Sequence, residues 1–229
     1  MMKNVQHKRY GLLIIPGIAT DCLVYFVYPG ITIIKLWNWN MDNELNKAFE
    51  KSQQELTHLY YRWIMYVQIF GTNTHRIDLV NQTASNFLIE FQWLVIDNMV
   101  LALSKFTDPV RMRGNDNLSF PYLIEHIKKT DKNEIVDDLK QTLKDLNETT
   151  KHFRDIRNKR IAHNDMAVSL DSDESPLPGV SRADVNAALK VAGDFLNKIE
   201  LAYLNSTTAY ELTILPLNND GCSLLKKQN

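Results

Sequence analysis

The amino-acid sequence predicts an all-α fold: a bundle of four long helices and one short one, with an irregular N-terminal extension. Three observations carry this prediction. From Asp42 onward, apolar residues recur at steps of three and four, the period of a helix with one buried face. Stop signals punctuate that pattern at Gly71, at Asp108-Pro109 and in the Ser-, Asp- and Pro-rich stretch Ser169 to Gly179. A β-like run occurs after the helices only in the tail, Leu212 to Leu217. The 229 residues suffice for one domain with a sizeable core. They divide into an extension, 1–40, a helical domain, 41–210, and a tail, 211–229.

The elements follow in order. "YGLLIIPGIATDCLVYFVYPGITIIKLWNW" (Tyr10 to Trp39) is strongly apolar but is broken by Pro16-Gly17 and Pro29-Gly30 and contains Asp21. Three readings stay open for it: a β-hairpin around Pro29-Gly30, a membrane anchor within 11–36, or an extension upstream of a start at Met41. The first helix carries Leu45, Phe49, Leu56, Leu59, Tyr60, Trp63, Val67 and Phe70 on its apolar face. The second runs from about Arg76 to Phe106 and stops before Pro109, since a residue preceding proline leaves the helical region. Its half "FLIEFQWLVIDNMVLALSKF" is apolar nearly all round, which predicts burial by several neighbours. Glu90, Asp97 and Ser104 recur every seven residues and share one side, either as a solvent stripe or as an acidic strip facing a cation.

Arg111 to Asn117 reads as a polar loop. Ser119 then caps a short helix, Phe120 to Lys129, with Pro121 in its first turn. Asp131 opens a long helix with Ile135, Leu139, Leu143, Leu146, Phe153 and Ile156 inward. Ser181 and Asp184 form a capping box for the last long helix, whose core face is Val185, Leu189, Ala192, Phe195, Leu196, Ile199 and Tyr203.

Composition narrows the function. Lys and Arg (26) nearly balance Asp and Glu (27), so no whole-protein field draws in nucleic acid, and any such site must rest on a local patch. Cys22 and Cys222 are no disulfide framework, and no Cys-x-x-Cys or His-rich cluster proposes a metal. The expectation is a cytoplasmic protein without metal or cofactor.

One stretch breaks the amphipathic rule. In "RDIRNKRIAHND" (Arg154 to Asp165) the charges are not all outward. With Ile135 at zero and about 100° per residue, Leu139, Leu143, Leu146 and Phe153 fall between about 0° and 80°. Arg157 falls near 40° and Arg160 near −20°, along the buried sector, whereas Arg154, Asp155, Asn158 and Lys159 fall outside it. An inward arginine must snorkel, pair with a carboxylate or line a cleft. A purely structural reading pairs Arg157 and Arg160 with Glu90 or Asp97 near the helix end, where the dipole favours cations. His163 lies about 120° from Arg157 on a straight helix, so the two converge only if the helix bends or two chains meet.

Arg157-Asn158-Lys-Arg-Ile-Ala-His163 resembles the HEPN signature: an arginine, often a polar residue, then a histidine four to six residues on. "RIAHND" and "LSKFTDPVRMRGNDNLSFPYLI" are similar to the abortive-infection, AbiU-type branch of HEPN proteins. The resemblance covers about Asp42 to Tyr210. It implies a HEPN-like helical bundle and a metal-independent endoribonuclease of the toxin or phage-defence kind, cutting RNA by attack of the 2′-OH. It further implies His163 as general acid or base, Arg157 on the transition-state charge, and Asn158 as the residue that orients the histidine or a phosphate oxygen. Lys159 and Arg160 would add phosphate affinity, with Arg111 and Arg113 on the rim. The implied partners are RNA, a second copy whose motif completes one cleft, and an antitoxin or nucleotidyltransferase. Some HEPN proteins have lost activity and serve as helical interaction modules; this chain keeps the arginine, asparagine and histidine.

Overall fold

The computed structural model describes residues 41–71, 74–162, 165–166, 179–213, 215 and 220–226. Asp42 starts the first helix, α1 (Asn43–Phe70), and its carboxylate accepts the backbone N–H groups of Glu44 and Leu45, both at 2.9 Å. Gly71 ends α1 as expected: a Cβ there would lie 2.7 Å from the Val67 carbonyl and 2.8 Å from Arg182 Nη1. The next helix, α2 (Thr74–Lys105), bends at Ala84, whose φ of −161° and ψ of 63° leave the helical region. The loop expected at Arg111 to Asn117 is instead a small antiparallel hairpin, β1 (Arg111–Met112) and β2 (Asn115–Asp116). Arg113 and Gly114 turn it with φ of 52° and 86°, the two left-handed residues that a tight hairpin demands.

Ser119 precedes α3 (Phe120–Ile127) without a side-chain cap; its hydroxyl is buried and unpartnered. Asp131 does not open the following helix. A 3-10 turn, Asn133–Ile135, leads into α4 (Val136–Thr149), and the single long helix expected there is broken into α4 and α5 (Lys151–Ile156). At the break Thr149 and Thr150 donate their hydroxyls back to the carbonyls of Asp145 and Leu146 at 2.8 and 2.7 Å, and the Thr150 N–H keeps its bond to Leu146 at 2.9 Å. The Ser181–Asp184 capping box forms as read and starts α6 (Arg182–Leu204), which Asn205 ends at φ 50°. The described part of the tail holds a 3-10 turn, Tyr210–Leu212, and a short helix, α7 (Gly221–Lys226), in place of the start of a strand at Leu212.

Packing follows the apolar faces. α1 lies against α2, α3, α6 and α7, α4 against α3 and α6, and α5 against α2. Phe106, Phe120 and Phe195 stack in series with centroids 4.7 and 4.0 Å apart, which joins α6 to α3 and to the end of α2. Leu45, Phe49, Leu56, Leu139, Phe153 and Leu196 are completely buried. Within this core Glu200 is also buried, but hydroxyls and an amide serve its carboxylate: Gln53 at 2.9 Å, Ser206 at 3.0 Å and Thr208 at 2.8 Å.

The prediction that α2 is buried on all sides is overturned. Val80, Leu88, Met99, Val100 and Leu103 are buried, but Phe87, Ile89, Trp93 and Leu94 face solvent. Among the described residues, too few elements surround its middle to cover a helix that is apolar all round. By length and composition Ala84–Lys105 also meets the measure of a membrane span, yet it packs here along α1 and α5 and carries Asp97 in an ion pair.

Candidate active site

The arginine-rich stretch leaves the α-helical path at its first signature residue. Arg157–Ile161 form a π-turn, closed by the Ala162 N–H donating to the Arg157 carbonyl at 2.7 Å. A π-turn closes over five residues rather than four, so the 120° offset counted at 100° per residue does not carry across it. Such insertions are frequent at functional sites. The π-turn and the end of α5 are held against α2 and the turn after it by three arginines spaced three apart, each taking a different partner.

Arg157 points inward as its periodicity predicts. Its Nη1 donates to the Asp108 carboxylate at 2.6 Å, and the two side chains are only 18% and 14% exposed. Arg160 also points inward: it pairs with Asp97, both about a third exposed, and its guanidinium carbon lies 5.7 Å from the centre of the Trp93 ring. The acidic strip thus does face a cation at Asp97. Glu90 is exposed and takes no part in these contacts, while Ser104 is buried and donates to the Val100 carbonyl at 2.6 Å, so it is no part of a solvent stripe.

Arg154 corrects the reading that placed it on the charged surface. It is half-buried and donates to Thr107 Oγ1 and Asn147 Oδ1. The break at Thr150 and the approach of the end of α2 bring it inward. Asn158 and Lys159 are exposed, as expected. His163 lies outside the described residues, as does all of Ser169 to Gly179 except Gly179. Arg111 pairs with Asp116 at 2.7 Å at the surface of the hairpin, and Arg113 is exposed at its turn.

Asp108 is the residue that sequence reasoning missed. In the sequence Asp108-Pro109 reads as a helix stop, yet its spacing from Asp97 carries a signal. Asp108 follows Asp97 by 11 residues, three helical turns, which brings it within about 20° of Asp97 on the same side. Past the end of α2 the chain closes in tighter turns, Thr107 N to Ser104 O and Asp108 N to Lys105 O, both 3.2 Å, so the count from Asp97 finds the side but not the exact direction. Thr107 and Asp108 therefore grip Arg154 and Arg157, one turn apart, at a C-terminus whose dipole favours cations.

A second contact ties this segment to α6. His152 Nε2 lies 3.5 Å from Asp184, whose carboxyl is held below the usual range chiefly by hydrogen bonding from Ser181. Among the described residues, no three His, Cys, Asp or Glu side chains converge as a metal set.

A helical bundle in which Arg157 and Asn158 open a π-turn after α5, with His163 five residues further along the sequence than Asn158, has the arrangement of a HEPN-type domain. The family model HEPN_AbiU2, described as AbiU2, matches residues 42–221, and the chain belongs to that family. It is a HEPN-type abortive-infection protein of the AbiU kind. No curated protein and no solved structure matches it.

Proposed function

We propose that this protein is a metal-independent endoribonuclease, a cytoplasmic toxin or abortive-infection effector that acts as a homodimer. The observation that carries the reading is the half-buried Arg157–Asp108 pair. It holds one nitrogen of the signature guanidinium in place, while the remaining N–H groups can serve two phosphate oxygens in the fork geometry that arginine favours. In the reaction the ribose 2′-oxygen attacks phosphorus, the new O2′–P bond forms and the P–O5′ bond breaks. The products are a 2′,3′-cyclic phosphate and a free 5′-hydroxyl. His163 takes the 2′-OH proton or gives one to the leaving 5′-oxygen, a task suited to a group titrating near neutral pH. Arg157 stabilises the added charge at phosphorus, Asn158 orients the histidine or a phosphate oxygen, and Lys159 and Arg160 hold flanking phosphates. The nucleophile belongs to the substrate, so the chemistry requires no metal.

The homodimer is supported by the exposed apolar stripe on α2. Phe87 and Leu94, at 68% and 67% exposure, lie seven residues apart on one side, the arrangement expected of a surface that a second copy covers. An antitoxin or nucleotidyltransferase partner belongs to the same proposal.

A second reading has its own observation. Arg157 and Arg160 are already paired with carboxylates of their own chain, as in a non-catalytic helical interaction module. One comparison separates the two. Arg157→Lys and His163→Ala are expected to lower RNA cleavage by about 10²-fold or more, the usual scale for general acid–base and charge-stabilising groups, with fold and dimer retained. Wild-type cleavage is expected to persist in EDTA. Wild-type protein that leaves RNA intact with and without EDTA, and variants that lose dimerisation instead, would establish the interaction module.

A further inference from the structure

The surface beside Arg160 has a second component that the signature does not include. Trp93 is 55% exposed on α2, and the Arg160 guanidinium lies by its ring. Exposed Asn158 and Lys159 belong to the same π-turn as Arg160. Trp93 is not part of the apolar stripe, since Phe87 and Leu94 lie about 100–120° around the helix from it. A solvent-facing indole with a guanidinium beside it combines the two features that hold single-stranded nucleic acid: a π-face on which a base stacks and a cation that follows the backbone. A duplex keeps its bases stacked on each other and has none to offer this ring.

Resting on the RNA reading of the motif, we propose that Trp93 and Arg160 form a single-stranded RNA subsite. An unstacked base lies on the indole, and the adjoining phosphate replaces Asp97 on Arg160. The exchange is feasible because carboxylate and phosphate present the same oxygen pattern to a guanidinium. The Arg160–Asp97 pair is also partly solvated, and such pairs contribute little. Lys159 takes the next phosphate. Exposed Glu90, about one turn before Trp93, disfavours phosphate on its side, so the backbone runs toward the π-turn.

The test uses the full-length chain and a 2′-O-methyl single-stranded 12-mer, which binds without being cut, with fluorescence anisotropy as readout. Trp93→Ala is expected to weaken binding by about 5- to 100-fold, the range for loss of one stacked base, and Trp93→Phe to restore most of it. Asp97→Asn should change affinity in the opposite direction, tightening it by about 2- to 5-fold as the competing carboxylate goes. A duplex of the same sequence should bind equally to wild type and Trp93→Ala. The subsite is overturned if wild type does not bind the 12-mer, if Trp93→Ala binds like wild type, or if Trp93→Ala changes the oligomeric state, which makes Trp93 a subunit contact. Failure of the nuclease reading looks different: no RNA is cut, while the Trp93→Ala and Asp97→Asn shifts in affinity remain.

Discussion

At the scale of single residues, the site is organised by what each arginine finds on α2 and in the turn that follows it. Arg157 meets Asp108 away from water, so the two charges depend on one another. Asp108→Ala strands a half-buried guanidinium and is expected to destabilise the fold by about 3 kcal/mol, measured by urea denaturation. Asp108→Asn keeps an acceptor for Nη1, so the expected loss is smaller, about 1–2 kcal/mol. In the nuclease reading both variants lose turnover more than RNA affinity, because a misplaced Arg157 fails at the transition state while Lys159 and Arg160 still bind phosphate. Arg160 sits nearer solvent, and Arg160→Ala is expected to leave stability within about 1 kcal/mol of wild type.

At the scale of elements, the features that shape the site are a broken helix and its docking. α4 ends at the threonine pair, α5 follows, and the π-turn begins at the signature arginine. The capping box of α6 faces α5 through His152 and Asp184. The Asp184 carboxyl is lowered in the folded state, so its contribution is present above the unfolded carboxylate value near about pH 4 and is lost as the pH falls through the folded value. The fall of Tm with acid should therefore be shallower in Asp184→Asn than in wild type, as followed by circular dichroism at several pH values. At the C-terminal end of α1, α7 docks through Gly221. A Cβ there would lie 2.8 Å from Ile69 Cγ1 and 2.9 Å from the Met65 carbonyl, while the Gly221 N–H donates to Gln68 Oε1 at 3.0 Å. Gly221→Ala is expected to cost about 1–3 kcal/mol by overpacking, with faster amide exchange confined to α7 and the facing turn of α1.

At the scale of the whole molecule, α2 links the bundle to the site and to the proposed dimer. One side packs on α1, another carries Asp97 and leads to Asp108, and a third exposes Phe87 and Leu94. If the exposed side joins two copies, Phe87→Glu with Leu94→Glu should give monomers by light scattering with the helical content of wild type. A dimer that survives both charges would place the subunit contact elsewhere.

The sequence by itself determined the all-α class, the bounds of α1 and α6, the capping box and the inward aim of Arg157 and Arg160. Each depends on local chemistry or on one helical period, and both are written in neighbouring residues. Only the tertiary structure decided which carboxylates those arginines meet, that Arg154 turns inward with them, and that Phe87, Ile89, Trp93 and Leu94 of α2 are left to solvent. Side-chain pairing and burial depend on residues far apart in the chain: Asp108 and Arg157 are 49 positions apart and meet only because α5 packs along α2. The π-turn lies between these cases. It was invisible to a count at 3.6 residues per turn because a one-residue insertion changes the phase of everything after it.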